Sequence, residues 1–139
     1  MSDSSEIIPK GFQLFTETSP FLDRVGPFYL NQSGPVPVFG LQILEHHCNR
    51  RGFVHGGLIM SLADITLGKT GEWSHDPPLS LMTASVTVDF LGTAKLGDWI
   101  EARSDFHKVG RQVALGNCYI RLLDQRIARA SGVFNVRRD

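Results

Sequence analysis

Cysteine is almost missing from this chain: Cys48 and Cys118 stand far apart and neither belongs to a Cys-x-x-Cys pair. That spacing supports neither a disulfide framework nor a zinc ribbon. Net charge is missing too, because 14 basic and 14 acidic side chains cancel, and a balanced chain is not expected to bind nucleic acid. No apolar run approaches the ~18 residues of a membrane helix, and Met1–Lys10 lacks the basic-then-apolar order of a signal peptide. A soluble, cytoplasmic protein with no membrane partner is therefore expected. Internal repeats, low-complexity tracts, a P-loop and a dinucleotide-binding glycine fingerprint are all absent.

What remains is 139 residues of ordinary globular composition, 42% of them hydrophobic, a length that suits one domain. From Ser19 (SPFLDRVG) the sequence predicts a short helix with Ser19 as N-cap and Pro20 in its first position. Val36–His47 alternates like a strand. Phe53–Gly68 is apolar nearly all round a helical period, through Leu58, Ile59, Met60, Leu62, Ala63, Ile65 and Leu67, and reads as a buried helix ending near Gly68–Gly71. Four strand-like runs follow: Ser80–Leu91, Trp99–Phe106 with Ile100, Ala102 and Phe106 inward, Val113–Leu123 and Arg126–Arg137. Their short connections predict antiparallel neighbours. One long buried helix against a largely antiparallel sheet is an α+β layer architecture.

The sharpest local feature is Asn49-Arg50-Arg51-Gly52-Phe53-Val54-His55-Gly56-Gly57 leading into that helix, with Asp64 inside it. Asp64 is the only carboxylate between Arg51 and Lys69, and its neighbours Leu62, Ala63 and Ile65 are apolar. Desolvating a lone carboxylate is costly, which favours a functional group over an accident. The competing reading puts Asp64 on a small solvated strip. At the helix start, first-turn N–H groups and the positive end of the dipole would face a ligand, and Gly56-Gly57 would let a carbonyl approach closely, as in an oxyanion hole. A tight turn needing positive φ is the plainer alternative.

Spacing sets a constraint. His55 and Asp64 are nine residues apart, about 13.5 Å of helical rise and half a turn out of phase. A single chain is not expected to bring them together, so one reaction centre would need a second copy of the helix, in a symmetric dimer. Other candidates are weaker. His46, His47 and Cys48 would alternate faces on a strand, and neither a His-Glu-x-x-His motif nor paired cysteines exist, so no metal is expected. Cys48 lacks a positioned base, and Ser61 lacks the glycines of a nucleophile elbow. Residues 101–139 hold eight Lys/Arg against four Asp/Glu, a local excess of four positive charges suited either to a small anion or to solvated strand faces.

The pattern Asn-x-x-Gly-x-x-His-Gly-Gly, then Leu62-x-Asp64, then Val88-Asp89-Phe90-Leu91-Gly92-Thr93-Ala94-Lys95-Leu96-Gly97-Asp98 and a Gly110-Arg111 turn, resembles the hotdog-fold acyl-CoA thioesterases of the phenylacetyl-CoA thioesterase type. The match runs in order across residues 36–137. The resemblance implies a single hotdog domain, with 1–18 as an N-terminal extension, 19–35 as a short helix and the loop leading in, and 36–137 as the core: an antiparallel sheet wrapped around the central helix. It also implies homodimers with active sites at the interface, and homotetramers. By the same resemblance the Gly57 N–H and Asn49 polarise the thioester carbonyl. Asp64 of the opposite subunit is the general base or nucleophile, and His55 shapes the helix start. Thr83 stands where relatives carry a serine that orients water.

The expected reaction is hydrolysis of an acyl- or aryl-acyl-CoA thioester to free acid and coenzyme A, which needs a polarised carbonyl and an activated water but no cofactor beyond the coenzyme A of the substrate. Lys108, Arg111, Arg137 and Arg138 are the candidates for its phosphates. Two alternatives stand beside this: a hydratase or dehydratase of acyl thioesters on the same fold, and a non-catalytic acyl-CoA-binding protein. Phe28, Phe39, Phe53, Trp73 and Phe90 are candidates for an aryl or acyl pocket or, more plainly, for core.

Overall fold

The computed structural model describes residues 8–137. Its centre is a 17-residue helix, Gly56–Glu72 (α2), about 25 Å long. Leu58, Ile59, Leu62, Ala63, Ile65 and Leu67 are buried against the sheet. The two buried threonines of this helix satisfy themselves: Thr66 Oγ1 donates to the Leu62 carbonyl at 2.7 Å and Thr70 Oγ1 to the Thr66 carbonyl at 2.6 Å. Met60, expected inside, is 43% exposed. The apolar residues therefore cover most of the helix surface but leave an open strip.

Around α2 lie seven antiparallel strands: Gln13–Leu14 (β1), Tyr29–Asn31 (β2), Val38–Gln42 (β3), Ser80–Phe90 (β4), Trp99–Val109 (β5), Val113–Leu122 (β6) and Gln125–Arg137 (β7). Their order is β1-β2-β3-β5-β6-β7-β4. The six-residue helix Pro20–Val25 (α1) begins as expected, with the Ser19 hydroxyl accepting from Leu22 N at 3.3 Å. The α+β reading of one long helix against an antiparallel sheet holds.

Three local expectations are corrected. Val36–His47 is not one strand: β3 stops at Gln42 and Glu45–His47 forms a 3-10 turn. This turn closes when Leu44 N donates to His47 Nδ1 at 2.9 Å. The β4 and β5 strands, joined by a short connection, are not neighbours. That connection instead crosses the start of α2, where Val54 N donates to the Ala94 carbonyl at 2.8 Å, and β4 pairs with β7. Phe106 is 50% exposed rather than inward, because a bulge between Ser104 and Phe106 reverses the alternation of β5 and turns Phe106 outward.

Candidate active site

Asp64 and Thr83 meet. Asp64 faces β4 from α2, and Thr83 Oγ1 donates to Asp64 Oδ1 at 2.7 Å. Asp64 is half-buried, so it occupies the open strip of α2 instead of the apolar interior suggested by its neighbours. On a helix Gly57, Ser61, Asp64 and Gly68 fall within ~60° of one another, and together with Met60 they account for much of that strip. Thr83 binds one carboxylate oxygen and leaves the other to accept from a ligand or water.

The start of α2 differs from the expectation of open first-turn donors. His55 is the N-cap, and its Nδ1 accepts from the Gly57 N–H at 2.8 Å. His55 therefore presents an unprotonated Nδ1 to the helix. Glycine at 57 leaves room for that ring, because a Cβ there would lie a tight 3.1 Å from Nδ1 and the cap would have to shift. Neither Gly56 nor Gly57 has a positive φ, so close approach, not turn geometry, explains the pair.

Asn49 organises the loop before the helix. Its Oδ1 accepts from Arg51 N at 2.9 Å and Phe53 N at 3.2 Å, and Gly52 takes the left-handed φ of 85° that closes the turn. The Asn49 amide nitrogen keeps its donors.

Two hollows run along α2. One, of about 280 Å³, contains Asp64 and Thr83; the other, of about 260 Å³, contains His55 and Gly57. Phe21 of α1 and Ser61 line both. Gly57 and Asp64 thus share a helix face, but about 10 Å of rise separates them. Phase is no obstacle between these two; distance is. Ser61, with its hydroxyl donating to the Gly57 carbonyl at 3.0 Å, was passed over in the sequence although its spacing of four from Gly57 and three from Asp64 marks it. Nothing in the sequence near Phe21 signals its position.

The histidine pair anchors α1. His46 Nε2 is 2.7 Å from the Gly26 carbonyl, and His47 Nε2 is 2.7 Å from the Val25 carbonyl. Burial pushes His47 below the ordinary 6.5. Cys48 is half-buried and desolvation raises its thiol, while burial pushes Cys118 up to about 12. Neither is disposed to be a thiolate nucleophile.

Of the basic candidates, Arg111 and Arg137 gather at one end of the sheet, where Val136 N donates to the Gln112 carbonyl at 2.9 Å. Lys108 is exposed on β5, and Arg138 lies outside the described residues. Phe28 and Phe39 are core, Trp73 stacks on Phe39 with ring centroids 6.2 Å apart, and Phe53 and Phe90 are exposed. None of these five lines the Asp64 hollow, whose aromatic walls are Phe21 and Phe134.

The family description "Thioesterase superfamily" matches residues 51–128. A Pseudomonas aeruginosa protein named "Putative esterase PA0474" is 38% identical over 130 residues, covering 93% of this chain and 97% of that protein. Among solved structures, a mutant of the phenylacetic acid degradation protein PaaI from Thermus thermophilus superposes with a TM-score of 0.73 at 19% identity, over 84% of this chain and 98% of that one. A Streptococcus mutans protein solved bound to acetyl-CoA gives 0.72 at 22% identity, over 88% and 95% of the two chains. At these identities the two structures speak for the fold.

Proposed function

The chain belongs to the thioesterase superfamily and has its hotdog fold, and from that premise we propose that it hydrolyses an acyl-CoA thioester with Asp64 as general base. The observation that carries this reading is the hydrogen bond from Thr83 to Asp64 Oδ1 at 2.7 Å. It fixes the carboxylate on the wall of a hollow while leaving Oδ2 to accept a proton from water. The water oxygen forms a bond to the acyl carbon as its proton passes to Asp64. The carbonyl π electrons move to oxygen, then return as the carbon–sulfur bond breaks. The thiolate of coenzyme A takes the proton from Asp64, leaving a carboxylic acid and a free thiol.

The developing oxyanion needs donors. In this reading they are the Gly57 N–H and Asn49 Nδ2, both at the start of α2. The Gly57 N–H becomes available once His55 Nδ1 releases it. Because Gly57 and Asp64 of one chain are about 10 Å apart along the helix, the site is completed across a homodimer, with the carbonyl donors from one protomer and Asp64 and Thr83 from its partner. Acetyl-CoA bound to the Streptococcus mutans protein supports coenzyme A as the carrier.

The direct test is release of free thiol from a panel of saturated acyl-CoA and aryl-acyl-CoA thioesters. Turnover of a saturated substrate supports hydrolysis, since a hydratase has no double bond to act on; absence of thiol release from the whole panel overturns the reading. Mixed dimers of Asn49→Ala and Asp64→Ala chains test the shared site. They regain activity if one intact site assembles from two chains and stay inactive if each chain builds its own.

A further inference from the structure

The hollow that holds Asp64 is an open groove bounded differently along its length. Its volume of about 280 Å³ lies at the small end of ligand sites, and Phe21, Leu22, Ile65, Leu81 and Phe134 make its apolar walls. At one end stands the Lys69–Glu72 ion pair at 3.2 Å, and the other Glu72 oxygen accepts from Leu81 N at 2.9 Å. A hydrocarbon chain pushed that way would strip water from a fixed pair of charges and return nothing. That end is barred by electrostatics.

Toward the other hollow stand the Phe21 ring and the small Ser61 side chain. Phe21 lines both the Asp64 hollow and the 260 Å³ hollow beside Gly57. Although large and apolar, it is 60% exposed. No residue of α1 is fully buried, and only Leu22 and Val25 pack partly against the core. The position of this helix depends on those two contacts and on the bonds from His46 and His47 to the Gly26 and Val25 carbonyls. Phe21 is thus a shared wall of two hollows whose combined space exceeds either one.

We propose that Phe21 sets the acyl length, confining the protein to short acyl groups or a single ring, and that its removal joins the two hollows and admits long chains. This rests on the acyl-CoA reading above and names the substrate class of that same site. The Phe21 ring supplies no hydrogen bond or proton to the reaction, so its effect falls on the order of preference among substrates.

The experiment compares wild type, Phe21→Ala and Phe21→Leu on butanoyl-, hexanoyl-, octanoyl- and dodecanoyl-CoA by thiol release. The same thioesters are titrated calorimetrically against each of these three forms carrying Asp64→Asn, where binding is read without turnover. Wild type is expected to favour the short chains. In Phe21→Ala the ratio of kcat/KM for dodecanoyl over butanoyl should rise about tenfold or more, the scale on which a hydrophobic pocket distinguishes added methylenes, with a smaller rise in Phe21→Leu. An unchanged ratio in both variants, or a wild type that already prefers dodecanoyl-CoA, overturns the proposal. If wild type releases no thiol from any substrate, the hydrolase reading fails separately. The length selection is then decided by binding: tighter long-chain binding by Phe21→Ala upholds it, and identical affinity series overturn it. Should Phe21→Ala fail to fold, the leucine variant carries the comparison.

Discussion

Thr83 on β4 donates its hydroxyl to Asp64 Oδ1 on α2 across 2.7 Å, joining two elements that lie side by side because the chain leaves the helix and returns along it as an edge strand. The bond orients one carboxylate oxygen and leaves its twin accessible. Asp64→Asn keeps the shape and loses the proton acceptor, so turnover should fall by about three orders of magnitude with an unchanged melting temperature. Thr83→Val, which removes only the donor, should lose about tenfold, and Thr83→Ser should retain most activity. Steady-state rates of thiol release measure all three, and a fully active Asp64→Asn would remove that residue from the chemistry.

His55 holds the Gly57 N–H at 2.8 Å through Nδ1, so the same amide serves as a helix cap before it can serve a carbonyl. Replacing His55 by alanine should destabilise the fold by about 1 kcal/mol, the usual worth of an N-cap, measured as a lower denaturant midpoint. Gly57→Ala brings a Cβ to 3.1 Å from the ring nitrogen and should displace the cap as well as crowd the carbonyl site. Its kcat should drop more than that of His55→Ala. The reverse order would make the glycine a packing residue only.

His47 gives the fold an acid-sensitive anchor. Desolvation lowers its folded value below 6.5, whereas in the unfolded chain it titrates near its ordinary ~6.5. Above that pH both states are neutral at His47 and its contribution to stability is complete. As pH falls below ~6.5 the unfolded chain takes up a proton that the folded chain refuses, and stability declines until the lowered folded value is passed. Melting temperature should therefore fall between about pH 7 and pH 5, and the slope should flatten in His47→Asn. Unchanged slopes would assign the acid sensitivity to other groups.

The legible and illegible parts of this fold divide along physical lines. The buried faces of α2, β6 and β7 were readable because burial repeats with the period of the element, as in Ala128, Ala130, Phe134 and Val136. Phe106 was not, since one extra residue in a bulge reverses a strand's faces without any compositional mark. The pairing of β4 with β7 also escapes local reading: a short connection to β5 fixes how far the chain travels, not which side of the helix it takes. Asp64 and Thr83 were linked only through a family pattern, being 19 residues apart. Phe21 is farther still from the groups it covers, and a six-residue helix is too short for the partly buried pair Leu22 and Val25 to announce where it docks.

The basic end of the sheet bears on recognition of coenzyme A phosphates. Arg137 pairs in register with Ser80 at the start of β4, three positions before Thr83, and the Arg111 turn lies beside it through the Val136 to Gln112 bond. Neutralising Arg111 and Arg137 to glutamine should raise KM for acyl-CoA severalfold with little change in kcat, because phosphate contacts are equal in ground and transition states. Added salt should weaken wild type in the same sense, exposed charges being screened over ~8 Å at physiological ionic strength. Neither arginine is without partners inside the chain, so each substitution also disturbs local contacts and a melting curve must accompany the kinetics. A pantetheine thioester separates the two effects. It lacks the nucleotide phosphates, so arginines that bind them leave its KM unchanged, whereas arginines that merely support the sheet edge alter both substrates alike.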